Sequence, residues 1–324
     1  MERIFLSIDL GGTNIKAGCL DANLKLICKT AAPTDADLGP DAVIDRITDT
    51  AAKLLSENGL TMESVEAAGI GSPGTLNIAE GMVISAPNFP KFRNIPLRDM
   101  LSRRLSKPVV FENDANAACW AEYRAGAGKG VNDMLFLTLG TGIGGGIISN
   151  GELVHGYFDN AAEFGHIIIQ KDGRGCVCGQ QGCVEAYSSA AATAKRAGEA
   201  LQAGAKSSLR KIFETDGCVT CKDVFEHCAQ GDRLATNIVD GTCSALGLLC
   251  VNLLHITGPQ RIVFAGGMIA AGQILQDKIK YYFEQYIWHL KPEPVEICLA
   301  SLGEDAGIIG TAALALHAKQ QGKL

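Results

Sequence analysis

The sequence predicts an α/β protein made of two duplicated domains flanking a cleft. Three observations carry that expectation. Two segments, one near the start and one near the middle, share the order strand, glycine-rich hairpin, strand, turn, strand. Strands then alternate with helical periods along the rest of the chain. Finally, 324 residues, 47% of them hydrophobic, suffice for two cores.

The elements follow in order. Residues 4–8 form an apolar strand that runs into Asp9-Leu-Gly11-Gly12-Thr13-Asn14-Ile-Lys16. This opening run is too short for a secretory signal or a membrane span. Residues 17–20 continue as strand, and Asp21-Ala-Asn23 turns. Over 41–58 the apolar positions Val43, Ile44, Ile47, Ala51, Leu54 and Leu55 fall at helical spacing. Residues 65–71 read as a strand ending in Ser72-Pro73-Gly74, and 86–90 (Ala-Pro-Asn-Phe-Pro) as irregular loop. The strand 109–111 delivers Glu112-Asn113-Asp114 at its carboxyl end, and a helix over 115–124 begins at once.

The second half opens with strand 134–139 and the hairpin Gly140-Thr141-Gly142-Ile-Gly144-Gly145-Gly146. Strand 147–149, a turn at Asn150-Gly151 and strand 153–155 follow. Residues 188–210 read as an alanine-rich helix and 232–256 as a long, mostly apolar core helix. Strand 261–265 runs into Gly266-Gly267, and 303–307 opens a last helix through 318. No other segment is expected to reach the length of a membrane span.

Charge and cysteine content narrow the function classes. The net charge is −6, and no run of lysine or arginine offers an electrostatic footprint for nucleic acid. Twelve irregularly spaced cysteines do not resemble a disulfide framework, which points to a reducing cytoplasm. Cys19, Cys28, Cys119, Cys243, Cys250 and Cys298 stand in apolar stretches as small core residues. Cys218, Cys221, His227 and Cys228 contain a Cys-x-x-Cys spacing, but the adjacency of the last two in a helix reads as structural.

Three constellations point to chemistry. Glycine hairpins let backbone N–H groups surround phosphate oxygens. Asp9 beside the first hairpin is a natural holder of hydrated Mg²⁺. Neither hairpin has the spacing of a P-loop or of a dinucleotide-binding turn. Asn113-Asp114 stands at a strand-to-helix junction, where it fits either a helix cap or a ligand-facing group. His166, Cys176, Cys178 and Cys183 make a closed four-ligand zinc set, flanked by Glu163 and Glu185. A zinc-bound histidine keeps one ring nitrogen for a ligand hydroxyl, and the two glutamates could accept from others.

These residues resemble the ROK family of sugar kinases and repressors. The resemblance spans essentially the whole chain. It rests on Asp9-x-Gly-Gly-Thr13-x-x-Lys16, Gly71-x-Pro-Gly74, Ala86-Pro-Asn88-x-Pro90, Glu112-Asn-Asp-Ala-Asn116 and Gly140-Thr-Gly-Ile-Gly-Gly-Gly146. Glu163-x-Gly-His166, Cys176-x-Cys-Gly-x-x-Gly-Cys183-x-Glu185 and Gly266-Gly267 complete it.

It implies the actin-like, hexokinase-type fold, with a smaller domain over 1–115 plus about 303–324 and a larger one over 116–302. It implies an ATP- and Mg²⁺-dependent hexose kinase with structural Zn²⁺, acting on the 6-hydroxyl of glucose. Asp114 would be the general base. Gly74, Asn88, Asn113, Glu163, His166 and Glu185 would contact the sugar. Asp9, Gly11, Gly12, Thr13, Asn14, Lys16, Thr141, Gly142 and Gly267 would contact ATP or its metal. Ala162 stands where bacterial members commonly carry glycine, and the run from His155 to Glu163 is similar to N-acetylmannosamine kinases, so an N-acetylhexosamine is the alternative acceptor. Eight residues before Asp9 leave no room for the repressors' DNA-binding segment, and a non-catalytic sensor is a remote alternative. The partners expected are hexose and ATP, with no nucleic acid or membrane, in a cytoplasmic homodimer or homotetramer.

Overall fold

The computed structural model describes residues 3–288 and 294–324. The chain divides into two compact units. One comprises Met1–Lys129, Leu153–Ala161 and Ser301–Leu324, and the other Gly130–Glu152 and Ala162–Ala300.

The first unit carries β1 (Ile4–Leu10), β2 (Asn14–Leu20), β3 (Leu26–Pro33), β4 (Val65–Ser72), β5 (Thr75–Asn77), β6 (Met82–Ala86), β7 (Phe89–Ile95) and β8 (Val109–Asn113). Five of them form a sheet in the order β3-β2-β1-β4-β8, and β5-β6-β7 form a small antiparallel sheet. Strand β1 is antiparallel to β2 and parallel to β4, which is parallel to β8.

The apolar run of β1 is explained by burial on both faces. Ile4, Leu6, Ile8 and Leu10 join the core that includes Val43, Ile44, Ile47 and Leu54 of helix Pro40–Glu57. Phe5 faces the other way, among Ile308, Ala312 and Leu316 of helix Ala306–Gln320. Ser7 shares that face, and its hydroxyl is satisfied by donating to the Ile308 carbonyl at 2.6 Å. Two glycines let this last helix pack backbone against backbone. A Cβ on Gly69 would strike the Thr311 carbonyl, and one on Gly310 the Ala117 carbonyl. Helix Asp114–Ala125 therefore lies within the first unit, packed on the last helix.

The second unit repeats the plan. Strands β9 (Met134–Leu139), β10 (Ile143–Ser149), β11 (Glu152–Leu153), β12 (Arg261–Ala265) and β13 (Glu296–Leu299) run in the order β11-β10-β9-β12-β13. Again a hairpin is followed by two parallel pairings. The duplication read from two glycine hairpins is thus a duplication of sheet topology.

Three local expectations are corrected. Residues 86–90 are not irregular loop but the tight turn joining β6 to β7, with Phe89 buried among core residues. The alanine-rich helix does not run from 188 to 210. It spans Ala190–Gln202, and the chain turns through Gly204 at φ 91°. Beyond that turn, Ser207 Oγ and Ser208 N donate to Asp232, the cap of a later helix. That helix, Arg233–Thr257, is long and apolar enough to cross a membrane by length and composition alone, against the expectation that no segment reaches that length. Its apolar side, including Leu246, Leu249, Cys250 and Leu253, is buried in the unit's core.

Candidate active site

In the first unit the parallel register brings the motif residues to adjacent strand ends. Asp9 of β1 lies opposite Gly71 of β4, and Ser72 opposite Asn113 of β8. Ligands gather at such carboxyl ends in α/β sheets. The hairpin after Asp9 is closed by Gly11 N donating to the Asn14 carbonyl at 3.0 Å. Thr34 braces it, its Oγ1 donating to Gly11 O at 2.7 Å and its N–H to Thr13 O at 2.9 Å. A Cβ on Gly12 would lie 2.9 Å from the Asn88 Cβ, so the turn at 87–88 packs on this hairpin.

Gly74 has a backbone reason for its identity: φ is 105°, and a Cβ would meet the Ser85 carbonyl. Lys16 Nζ donates to the Glu304 carbonyl at 3.3 Å, and a Cβ on Gly307 would meet the Asp9 carboxylate at 2.6 Å. Residues 303–307 therefore form a wall of the Asp9 site.

At the β8 junction the two readings of Asn113-Asp114 separate. Asn113 is the helix cap, its side chain accepting from Ala115 N at 2.9 Å and Asn116 N at 3.2 Å. Asp114 Oδ1 accepts from Ala115 N at 2.8 Å. Burial pushes the Asp114 carboxyl above its ordinary value, opposed by the backbone bond to Ala115. Asp9 is raised by burial first and by the charge of Asp114 second, with Lys16 opposing. A recessed carboxylate is the donor chemistry that a hard divalent cation takes, so Asp9 fits Mg²⁺.

In the second unit, Gly140 N donates to the Gly142 carbonyl at 3.0 Å and closes the other hairpin. Glu185, expected only at the sugar, also supports this hairpin: its Oε2 accepts from Ile143 N at 2.8 Å. A Cβ on Gly142 would lie 2.5 Å from that oxygen. Gly142→Ala is therefore expected to displace the Glu185 carboxylate. With Glu185 read, from the resemblance, as a sugar contact, losing one bond to a charged group corresponds to roughly a tenfold or greater rise in the sugar KM. Steady-state kinetics of the purified variant check this.

Next to the hairpin is an apolar cavity of about 450 Å³ that sequence reading missed. Ala190, Thr220, Cys221, Phe225, Met268 and Ala271 line it, together with Gly267. Ala190 N donates to the Gly140 carbonyl at 2.8 Å, and Gly266, at φ 86°, passes against the Leu139 backbone. Gly267 thus lines the cavity, and the 140–146 hairpin is tied to its wall through Ala190. Its lining comes from segments far apart in sequence, and that leaves no local signature. Thr141 is exposed on the hairpin.

The cysteine and histidine cluster forms as expected. The ligand atoms of His166, Cys176, Cys178 and Cys183 all lie within 4.8 Å of one another. Two thiolates each about 2.3 Å from a tetrahedral zinc stand about 3.8 Å apart. Cys178 Sγ and Cys183 Sγ are 3.7 Å apart, as are Cys176 Sγ and His166 Nδ1, so the set fits the ion. Nδ1 faces the thiols, which leaves Nε2 for another partner. Cys176 Sγ also lies 3.8 Å from Glu185 Oε1, so Glu185 spans the distance between the cluster and the hairpin.

Glu163 is exposed, and Ala162 before it has φ 68°, a left-handed conformation that favours glycine. Among the described residues, the other cysteines form no further group of three or more metal-ligating side chains. Cys228 is buried in the core, Cys221 lines the cavity, and His227 Nδ1 pairs with Ser208 Oγ at 2.6 Å.

Comparison with known proteins follows from this geometry. The ROK family model matches residues 5–318. The chain is 36% identical over 310 residues to a glucokinase of Halalkalibacterium halodurans, covering 95% of this chain and 94% of that protein. It is 32% identical to an N-acetylmannosamine kinase of Citrobacter koseri over 96% of this chain and 98% of that protein. A ROK family glucokinase from Streptomyces griseus, solved with glucose and AMPPNP, superimposes with a TM-score of 0.80 at 34% identity, covering 97% of this chain and 99% of that one.

Proposed function

The chain belongs to the ROK family and has its actin-like, hexokinase-type fold, and from that premise we propose that it transfers the γ-phosphoryl group of ATP to the 6-hydroxyl of glucose. The observation that carries this reading is Asp114. It is a recessed carboxylate at a strand end, left without the capping task that Asn113 performs. It accepts the hydroxyl proton as the sugar oxygen bonds to the γ-phosphorus and the bond to the β-phosphate bridging oxygen breaks, releasing ADP.

Asn88, Asn113, Glu163, His166 Nε2 and Glu185 are the groups proposed to hold ring hydroxyls, with Gly74 shaping the turn beside them. The hairpins supply N–H groups from Gly12 to Asn14 and from Thr141 and Gly142 to phosphate oxygens, Gly11 closing the first turn, and Lys16 adds charge near them. Asp9 would hold the Mg²⁺ that neutralises phosphate charge when bound. His166, Cys176, Cys178 and Cys183 would hold a zinc that stiffens the sugar-binding loop. The cavity beside Gly267 takes the nucleotide base. Filling it with Ala271→Phe is expected to raise the ATP KM by about tenfold or more while leaving the glucose KM within about twofold.

ADP release measured with glucose, mannose, fructose, allose and the N-acetylhexosamines tests the acceptor. Glucose is expected to be turned over with the highest kcat/KM. The second reading, an N-acetylmannosamine kinase, is favoured by the 32% identity to such an enzyme and would be adopted if that sugar were preferred. A cytoplasmic homodimer or homotetramer is the setting we infer. The twelve irregularly spaced cysteines support the compartment, and the exposed Tyr281, Tyr286 and Trp288 support a further interface.

A further inference from the structure

Glu112 and His155 are 43 positions apart, and neither has a place in the scheme above. Glu112 is 3% exposed, and a carboxylate so buried needs full compensation. It has three donors. Oε1 accepts from Asn113 N at 2.8 Å and from Asn116 Nδ2 at 3.0 Å. Oε2 faces His155 Nε2 at 2.7 Å. The first two bonds fix the turn that sets Asp114 at the helix start, so whatever holds Glu112 also sets the base.

His155 is placed for that task by its own loop. Its carbonyl accepts from Ala161 N at 3.0 Å, which closes the neck of residues 155–161. Asp159 Oδ2 accepts from Ile78 N at 2.8 Å and pins the loop's far side. The hydrogen bond to Glu112 holds the His155 imidazole above its ordinary value, burial opposes this, and Asp159 adds to it.

We propose that His155 is a positioning residue for phosphoryl transfer, acting through Glu112 to fix the Asn113–Asp114 junction. This rests on the reading of Asp114 as base. A misplaced base lowers turnover rather than substrate affinity, because the ground-state sugar and ATP contacts remain.

His155→Leu is expected to lower kcat by about tenfold or more with both KM values within about threefold, since small misplacements of a base are costly. His155→Gln, which keeps an N–H toward Oε2, is expected to recover kcat to within about threefold. Glu112→Gln and His155→Leu are expected to be coupled, with the double variant no slower than the slower single one. Should the leucine variant fail to fold, His155→Asn, polar and too short to reach, takes its place in the cycle. A His155→Leu kcat within threefold of wild type, a loss confined to KM, or single losses that multiply in the double variant would overturn the assignment. An inactive Asp114→Asn beside an unaffected His155→Leu sinks this inference alone. A fully active Asp114→Asn sinks the reading beneath it.

Discussion

Asp114→Asn is expected to fold, to bind glucose with a KM within a few-fold of wild type, and to lose on the order of 10²–10⁴ in kcat, the usual contribution of a positioned base. The geometry separates this from structural damage. The cap belongs to Asn113, and the bond that Asp114 accepts from Ala115 N can be kept by an asparagine oxygen. The sign of the pKa shift strengthens the contrast. A carboxyl whose folded value is raised binds its proton more tightly when folded. It therefore costs stability once the pH exceeds its ordinary value, and the full cost is present above the folded one. Asp114 is shifted this way by burial, and Asp9 by burial and by Asp114. Removing the charge is expected to hold or raise Tm at neutral pH while activity collapses. Thermal unfolding and steady-state kinetics on one preparation read both. A lowered Tm with proportionate loss of activity would mean a structural role, and near-normal turnover would remove Asp114 from the chemistry.

Cys178→Ser carries the second large effect. The loop around the cluster has little apolar packing of its own: Val177 is 94% exposed, and Cys178 is itself exposed. Only Cys183 among the four ligands is buried. With zinc in the proposed site, such a segment would be ordered by its metal rather than by a core, so losing a ligand is expected to release the ion and loosen the loop. His166 is one proposed ligand, and Glu185 lies against another, so both would lose their fixed positions. The glucose KM is expected to rise by about 10–100-fold, the range typical of lost metal-site support. The cavity beside Gly267 has walls of its own, Ala190, Phe225 and Met268 among them, so the ATP KM is expected to move far less. Metal content by elemental analysis accompanies the kinetics. A zinc-free variant with unchanged glucose KM would show that the cluster does not support the sugar site.

Much of this was legible because it is local. Asp9, the two hairpins, Asn113-Asp114 and the cysteine loop each announce themselves within a few residues, and the parallel register then aligns Asp9, Gly71 and Asn113. What escaped depends on tertiary contact. The cavity draws on three separate segments, and the Glu112–His155 pair has no spacing rule. Residues 86–90 carry two prolines and read as loop, yet Phe89 is drawn into the core and makes them a hairpin turn. The alanine-rich helix looked longer than it is because helix propensity does not register Gly204 at positive φ or the pull of Asp232 on Ser207 and Ser208. His166 was predicted to serve two partners, but only the fold decides that Nδ1 faces the thiols.

The last helix has a consequence for the order in which the protein is made. Ser7 is bonded to Ile308, 301 positions later, and helix Ala306–Gln320 covers one face of the first strand. During synthesis the second unit, complete by Ala300, can close its sheet before the first unit has its final wall. The nascent first unit, begun before the second, must therefore wait with Phe5 and Ala67 uncovered until residues 306–320 leave the ribosome. That interval, rather than the finished structure, is where chaperone dependence and aggregation would concentrate.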